Sequence, residues 1–302
     1  MSRELHVLGT ASQAPTRYRN HNGYLLRWDG EGILFDPGEG TQRQMTLAGL
    51  AASAITRICV THFHGDHCLG LPGVFGRLAM EQVRHAVDVY YPAGGQDYFD
   101  RLRYASVTDR HPDLHPRPVS ADGLVDDGPN LRIVARRLDH RTETVGWRIE
   151  EPDGIRFLPE RLDQAGIRGP DVGRLRSEGS IVARGRTVTT AEVSETRRGQ
   201  TMAFIMDTRL CDAAVALADG VDLLVCESTF LEGEAHLAQE YAHLTAAQAA
   251  LLAAEAGARR LVLTHYSQRH PDESVYLAEA APIFPDTVVV KDLDVIAVPS
   301  RR

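Results

Sequence analysis

The sequence predicts an α/β fold in which sheets are covered by helices, and three observations predict it. Short strand-like segments with tight turns fill the first 60 residues. Strand and helix alternate through the C-terminal third. The 302 residues, 43% apolar and 25% charged, supply a substantial core for one large α/β domain or two small ones.

In chain order, Leu5–Leu8, Gly23–Trp28 and Gly32–Phe35 read as strands, and Asp29-Gly30 is a hairpin signal. Glu39–Leu50 reads as a helix. Ile55–Thr61 is a strand that ends in a histidine cluster, and Leu69–Met80 is the helix after it. Val87–Tyr91, Leu131–Leu138 and Thr144–Glu150 are β-rich. Further on, Met202–Met206, Val221–Cys226, Leu261–Thr264 and Thr287–Val290 are strands, alternating with helices at Cys211–Ala218, Thr245–Ala256 and Asp272–Pro282. One stretch differs. From Arg156 to Arg198, nine arginines stand against six acids, with the turn-dense passage Gly166-Ile167-Arg168-Gly169-Pro170 and few large apolar residues. Such a composition suits an excursion from the core, whether an ordinary surface loop or a functional one. There is no internal repeat and no low-complexity tract.

Bulk composition narrows the function. No apolar run approaches the length of a membrane span, and MSRELHVLGT has neither an apolar signal region nor a small-residue cleavage site, so a cytoplasmic protein is expected. The four cysteines (Cys59, Cys68, Cys211, Cys226) form no Cys-x-x-Cys pair, which argues against a disulfide framework and a thiolate zinc knuckle. Free, mostly buried thiols are expected. A net charge of −8 speaks at first sight against nucleic acid, but neutralising phosphates takes a local basic patch, not a basic total. Lys291 is the only lysine, so arginine supplies nearly all positive charge.

The decisive segment is Thr61-His62-Phe63-His64-Gly65-Asp66-His67. On an extended strand end His62 and His64 point the same way. Gly65 permits a turn, after which Asp66 and His67 open a helix. Three imidazoles and a carboxylate offer nitrogen and oxygen ligands for Zn²⁺ or a similar divalent ion. The bland alternative is a surface histidine cluster that binds nothing. Four ligands on one short loop crowd a single ion, and two ions need partners from elsewhere. Asp139, His140, Asp207 and His265 each follow a strand and are the candidates. His21 and His270 are weaker candidates for lining the site.

These residues resemble the signature of the metallo-β-lactamase superfamily, His-x-His-x-Asp-His plus a later His, Asp and His. Further segments resemble the ribonuclease Z family within it over nearly the whole chain. They are Pro15-Thr16-Arg17-Tyr18-Arg19-Asn20, Phe35-Asp36-Pro37-Gly38-Glu39-Gly40-Thr41-Gln42, Leu138-Asp139-His140-Arg141-Thr142-Glu143, Gly169-Pro170 with Leu175 and Gly179, Cys226-Glu227-Ser228-Thr229 and Ala242-His243-Leu244-Thr245. Arg17 and Arg176 stand where relatives often carry lysine, and Leu244 where a small or hydroxyl residue is expected.

The resemblance implies a metallo-β-lactamase-like αββα sandwich of two mixed sheets flanked by helices, a single domain over 1–302 with a protruding Gly-Pro arm inserted at about 153–200. It implies two divalent ions per subunit, Zn²⁺ by preference. His62, His64 and His140 hold one, Asp66, His67 and His265 the other, and Asp207 bridges. Two ions roughly 3.5 Å apart clamp the phosphate oxygens of an in-line displacement and lower the pKa of water towards about 7. Asp66 then orients or deprotonates that water, and His243, steered by Glu227, is the candidate acid; a buried structural His–Glu pair is the alternative. Asp36 supports the ligand loop rather than binding metal. The implied substrate is precursor tRNA, cut to leave a 3′-hydroxyl on the tRNA and a 5′-phosphate on the trailer. Arg17 and Arg19 approach the acceptor end, and the arm with Gly169, Pro170, Arg174 and Arg176 grips the tRNA body through phosphates. A homodimer is implied; no membrane or DNA partner is expected. The alternatives are a small-molecule or cyclic-nucleotide phosphodiesterase on the same fold and a non-catalytic RNA-binding protein.

Overall fold

The computed structural model describes residues 3–108 and 110–301. The chain divides into two compact units, one formed up to Glu150 and again from Gln200 to Ser300, the other by Glu151–Gly199. The larger unit holds two seven-stranded mixed sheets. The first runs, neighbour to neighbour, Val295–Ala297, Glu4–Gly9, Gly23–Trp28, Glu31–Phe35, Arg57–Cys59, Val87–Pro92, Leu114–Val119. The second runs Thr287–Val289, Leu261–Thr264, Leu223–Glu227, Thr201–Ile205, Thr144–Glu150, Arg132–Leu138, Gly123–Asp127.

Period-two alternation explains the layering. Leu223 and Val225 join a core that also contains Val7, Leu26, Phe35 and Tyr90 of the first sheet, so this core lies between the sheets. Leu224 and Cys226, of opposite parity, pack with the helices Asp212–Leu217, Ala246–Glu255 and Ser274–Ala280. In the first sheet Leu25, Leu34, Ile58 and Val89 likewise pack with Thr41–Leu47, Leu71–Met80 and Gln96–Arg103. The order is helix, sheet, sheet, helix. Aromatic rings lock the sheets together: Phe204 stacks on Phe35 at 4.6 Å and meets Tyr24 edge-on at 5.2 Å. Helix Ala246–Glu255 starts at a capping box, Thr245 accepting from the Gln248 amide while Gln248 accepts from Thr245.

Topology gathers strand ends. Leu261–Thr264, Leu223–Glu227 and Thr201–Ile205 are mutually parallel, and Arg132–Leu138 runs the same way because both it and Thr201–Ile205 pair antiparallel with Thr144–Glu150. Their carboxyl ends open at one edge.

Some elements differ from expectation. The helix expected over Leu69–Met80 is Leu71–Met80, separated from a short Gly65–Cys68 turn of helix. Pro72 lacks the N–H that would continue the earlier turn. A Cβ on Gly70 would lie 2.0 Å from the Gly38 carbonyl, so two backbones meet there. The edge strands Leu114–Val119 and Val295–Ala297 were not foreseen. All four cysteines are free, and no helix among the described residues is long and apolar enough to cross a membrane.

The smaller unit pairs Gly154–Phe157 with Ser194–Arg197 and carries a hairpin, Ser180–Ala183 with Arg186–Thr189. Its main helices are Pro159–Ala165 and Pro170–Glu178. Gly169, at φ 53°, supplies the left-handed entry, and Pro170 takes the first helical position, where its missing N–H costs nothing. Sparse as its apolar residues are, they form a separate small core of Ala165, Ile167, Leu175, Ile181, Val188 and Val193.

Candidate metal centre

Seven side chains converge at four strand ends of the larger unit. His62, His64, Asp66 and His67 follow Arg57–Cys59, His140 follows Arg132–Leu138, Asp207 follows Thr201–Ile205 and His265 follows Leu261–Thr264. His62, His64, His140 and Asp207 present donor atoms within 4.8 Å of one another, and Asp66, His67 and His265 do the same. Asp36, Asp207 and His265 adopt left-handed backbone at φ 41°, 39° and 61°. Each such turn costs about 1–3 kcal/mol at a non-glycine residue, which the surrounding bonds must offset. Gly38 keeps the support loop close: a Cβ there would lie 2.2 Å from the Asp66 carbonyl.

Hydrogen bonds behind the histidines decide which nitrogen faces inward. Thr61 Oγ1 donates its one proton to Asp36 Oδ2 (2.7 Å), so it accepts from His62 Nδ1 (3.0 Å). His67 Nδ1 donates to Asp36 Oδ2 (2.8 Å), and His140 Nδ1 donates to the Ala242 carbonyl (2.9 Å). Thr229 Oγ1 donates to Glu227 Oε2 (2.6 Å) and therefore accepts from His265 Nδ1 (2.7 Å). All four imidazoles thereby turn Nε2 towards the centre, the arrangement that orients metal-binding histidines. His62 Nε2 then faces His64 Nδ1 at 2.9 Å, a pair of nitrogens that a shared cation satisfies.

The charge balance points the same way. Asp36, Asp66, Asp207 and Glu227 are all buried, and every ion-pair partner they have among the described residues is a histidine. Four buried carboxylates whose partners are all imidazoles are costly without further positive charge. Burial would raise Asp66 and Asp207, but the facing histidines, His67 for the first and His265 with His67 for the second, hold both below the usual carboxylate range. Burial would likewise lower His67, yet Asp207, Asp66 and Asp36 raise it well above the usual histidine value, while burial and the His67 charge push His62 down to about 3. Asp207 Oδ1 and His265 Nε2 are buried without a hydrogen bond. A nitrogen and oxygen donor set with excess buried negative charge fits divalent cations.

Asp207 faces both groups. Its Oδ2 lies 3.4 Å from His62 Nε2 and from His67 Nε2, and its Oδ1 lies 3.1 Å from His265 Nε2. Beside it His243 Nδ1 sits 3.1 Å from both oxygens of the fully buried Glu227. Burial would lower His243, but Glu227 and Asp207 push it up to about 9. An open cavity of about 830 Å³ exposes His64, Asp66, His140, Asp207, His243 and His265 together.

Other expected residues fall elsewhere. The Asp139 carboxylate points away and pairs with Arg209 at 3.0 Å. His21 lines the cavity, whereas His270 bonds Glu234 at 2.8 Å. Arg19, expected to meet RNA, is only 4% exposed: Glu273 takes its guanidinium at 2.8–2.9 Å and Tyr266 covers it. A cation so neutralised and buried cannot bind a phosphate; Arg17, two residues earlier, is exposed. In the smaller unit Gly169, Pro170, Arg174 and Arg176 are all exposed, Arg174 paired with Asp171 and Glu178 and Arg176 lying over Phe157. Thr61 and Thr229 were missed as partners behind His62 and His265, as were Asn22, whose Nδ2 lies 3.3 Å from His67 Nε2, and Thr208, whose amide donates to Glu227. Only adjacency could have signalled them: Thr61 precedes His62, Thr208 follows Asp207, and Thr229 lies two beyond Glu227.

Comparison with known proteins agrees with this geometry. A family model of the metallo-β-lactamase superfamily matches residues 16–205, and one of a β-lactamase superfamily domain matches residues 176–266. The chain is 58% identical to a ribonuclease Z of Nocardia farcinica over 99% of both chains. It is also 58% identical to one of Salinispora arenicola, over 100% of this chain and 98% of the relative. Among solved structures, the short form of human tRNase Z is 26% identical, with 98% of this chain and 100% of that one covered at a TM-score of 0.71. With its strand-end histidines, its buried carboxylates and these full-length likenesses, the chain belongs to the ribonuclease Z family of the metallo-β-lactamase superfamily.

Proposed function

We propose that the chain is an endoribonuclease that removes the 3′ trailer from precursor tRNA by two-metal hydrolysis, leaving a 3′-hydroxyl on the tRNA and a 5′-phosphate on the trailer. The observation that carries this reading is Asp207, whose carboxylate faces both ligand groups beside a His243–Glu227 pair in an open cavity. The family relatives, named ribonuclease Z, support the substrate.

His62, His64 and His140 would hold one ion and Asp66, His67 and His265 the other, with Asp207 shared; the donor set favours zinc. When bound, such ions would supply charge to neutralise the scissile phosphate and to lower the pKa of an attacking water. Asp66, buried and held ionised, orients the attacking water or accepts its proton. His243, tied through Nδ1 to Glu227, gives an Nε2 proton to the departing 3′ oxygen. Arg17 and the exposed arginines of the arm bind phosphates of folded RNA, which is recognised by shape and backbone. On the family resemblance we also propose a cytoplasmic homodimer in which one subunit's arm serves the other's site. Mixing an arm-deleted subunit with a D66A subunit should restore cleavage if it does.

The test is incubation with a precursor tRNA bearing a 3′ trailer and mapping of the cut. One chelator-sensitive cut near the acceptor end, leaving a 3′-hydroxyl, is expected. Turnover of a small phosphodiester without any such cut would shift the reading to a small-substrate phosphodiesterase.

A further inference from the structure

The loop between strands Glu4–Gly9 and Gly23–Trp28 reaches the catalytic cavity, where Ser12, Gln13, Ala14 and His21 form part of the wall. Its tip is a tight turn. Thr16 N donates to the Arg19 carbonyl (2.8 Å), and Thr16 Oγ1 accepts from the Tyr18 and Arg19 amides. That turn leaves Arg17 exposed and Tyr18 79% exposed.

Two carboxylates from distant parts of the chain hold this loop. Glu273, itself 8% exposed at the start of helix Ser274–Ala280, accepts from Arg19 Nε at 2.9 Å, with Nη2 at 2.8 Å from the same oxygen. The Arg19 guanidinium also lies over the Tyr266 ring at 5.0 Å, and Tyr266 directly follows His265. Asp292 closes the base of the loop: one oxygen accepts from Thr10 Oγ1 (2.8 Å), the other from the Asn20 amide (2.7 Å) and Gln44 Nε2 (3.1 Å). The stems are tied to the metal centre's own strand end, since Ser12 N donates to the Tyr266 carbonyl and Tyr266 N to the Thr10 carbonyl. A short surface turn needs none of this to close. A buried arginine, paired with Glu273 and with Nη1 donating to the Ser267 carbonyl (3.4 Å), stands just behind two exposed side chains and fixes where they stand.

We infer that Glu273, supported by Asp292, is a positioning residue that acts through Arg19 to hold Arg17 and Tyr18 at the cavity rim, where they set the register of the bound RNA chain. Arg17 supplies a charge for a phosphate flanking the scissile one, and Tyr18 offers an aromatic face to an adjacent base. This rests on the nuclease reading above. Removing the Glu273 carboxylate leaves a buried cation unpaired, so Arg19 must leave its place and the turn loses its anchor.

The experiment is a double-mutant cycle of E273A and R17A, read on precursor tRNA and on bis(p-nitrophenyl) phosphate with zinc-loaded protein. E273A should raise KM for precursor tRNA at least about tenfold, or add neighbouring cut positions, while small-phosphodiester turnover stays within about threefold. In the R17A background the further effect of E273A on precursor tRNA should shrink to about twofold or less. Trypsin should cut after Arg17 faster in E273A than in wild type. E273Q, which keeps the shape and removes the charge, serves if E273A does not fold. Additive effects, or equal losses on both substrates, would make the ion pair merely structural and overturn the inference. A wild type that cuts no precursor tRNA would instead overturn the nuclease reading itself.

Discussion

The catalytic cluster and the arm use charge in opposite ways. In the cluster, Asp66, His67, Asp207 and His265 are buried, and the outward nitrogens of the two imidazoles are each engaged by a fixed partner. In the arm, Arg168 with Asp163 and Arg174 with Asp171 are pairs exposed on both sides. Pairs of that kind stabilise by about 0.2–1 kcal/mol at most. Arg161, Arg176, Arg184 and Arg198 are exposed and have no carboxylate partner among the described residues. Labour is divided accordingly. The chemistry needs positions fixed to fractions of an ångström, so it sits on over-determined strand ends. Holding RNA, the role proposed for the arm, needs available charge, and the side chains of this small unit are only lightly committed.

The largest effects are expected at the cluster. D66A, or chelation of wild type, should abolish hydrolysis of both precursor tRNA and a small phosphodiester; near-normal turnover by metal-loaded D66A would remove Asp66 from the mechanism. H243A should lower RNA cleavage by about 10²–10⁴-fold but slow bis(p-nitrophenyl) phosphate far less, because a nitrophenolate leaves without a proton. Equal losses on the two substrates would return His243 and Glu227 to a structural role. T229V, nearly isosteric, removes the hydroxyl that orients His265 and should weaken metal affinity by about 10–100-fold in a chelator competition, with T229S restoring it.

How far these features could be read from sequence follows their locality. His62 to His67 lie in one hexapeptide, and His140, Asp207 and His265 each close a strand, so short-range pattern was enough. Leu114–Val119 was illegible because Pro116 and Pro118 read against a strand; at the sheet edge their missing N–H groups cost nothing. Val295–Ala297 is only three residues long. Arg19 was misread for a deeper reason: the partner that buries it, Glu273, lies 254 residues away, and no local pattern distinguishes a paired arginine from a free one. The proton directions set by Thr61 and Thr229 likewise depend on tertiary partners.

The smallest expected effects lie in the arm. Changing Arg161, Arg176, Arg184 or Arg198 singly to glutamine should leave the cleavage position unchanged and lower the slope of log affinity against log salt by about 0.7–0.9 for each phosphate no longer neutralised. An unchanged slope in all four would mean that the arm's free charge does not meet RNA.

Deleting residues 156–198 sets the two regions against each other in one experiment, with precursor tRNA and bis(p-nitrophenyl) phosphate assayed on the same metal-loaded protein. Precursor cleavage should fall sharply through KM while the small phosphodiester is hydrolysed at close to the intact rate. Equal loss on both substrates is incompatible with the division of labour, and would mean that the arm helps to build the catalytic centre rather than to present RNA to it.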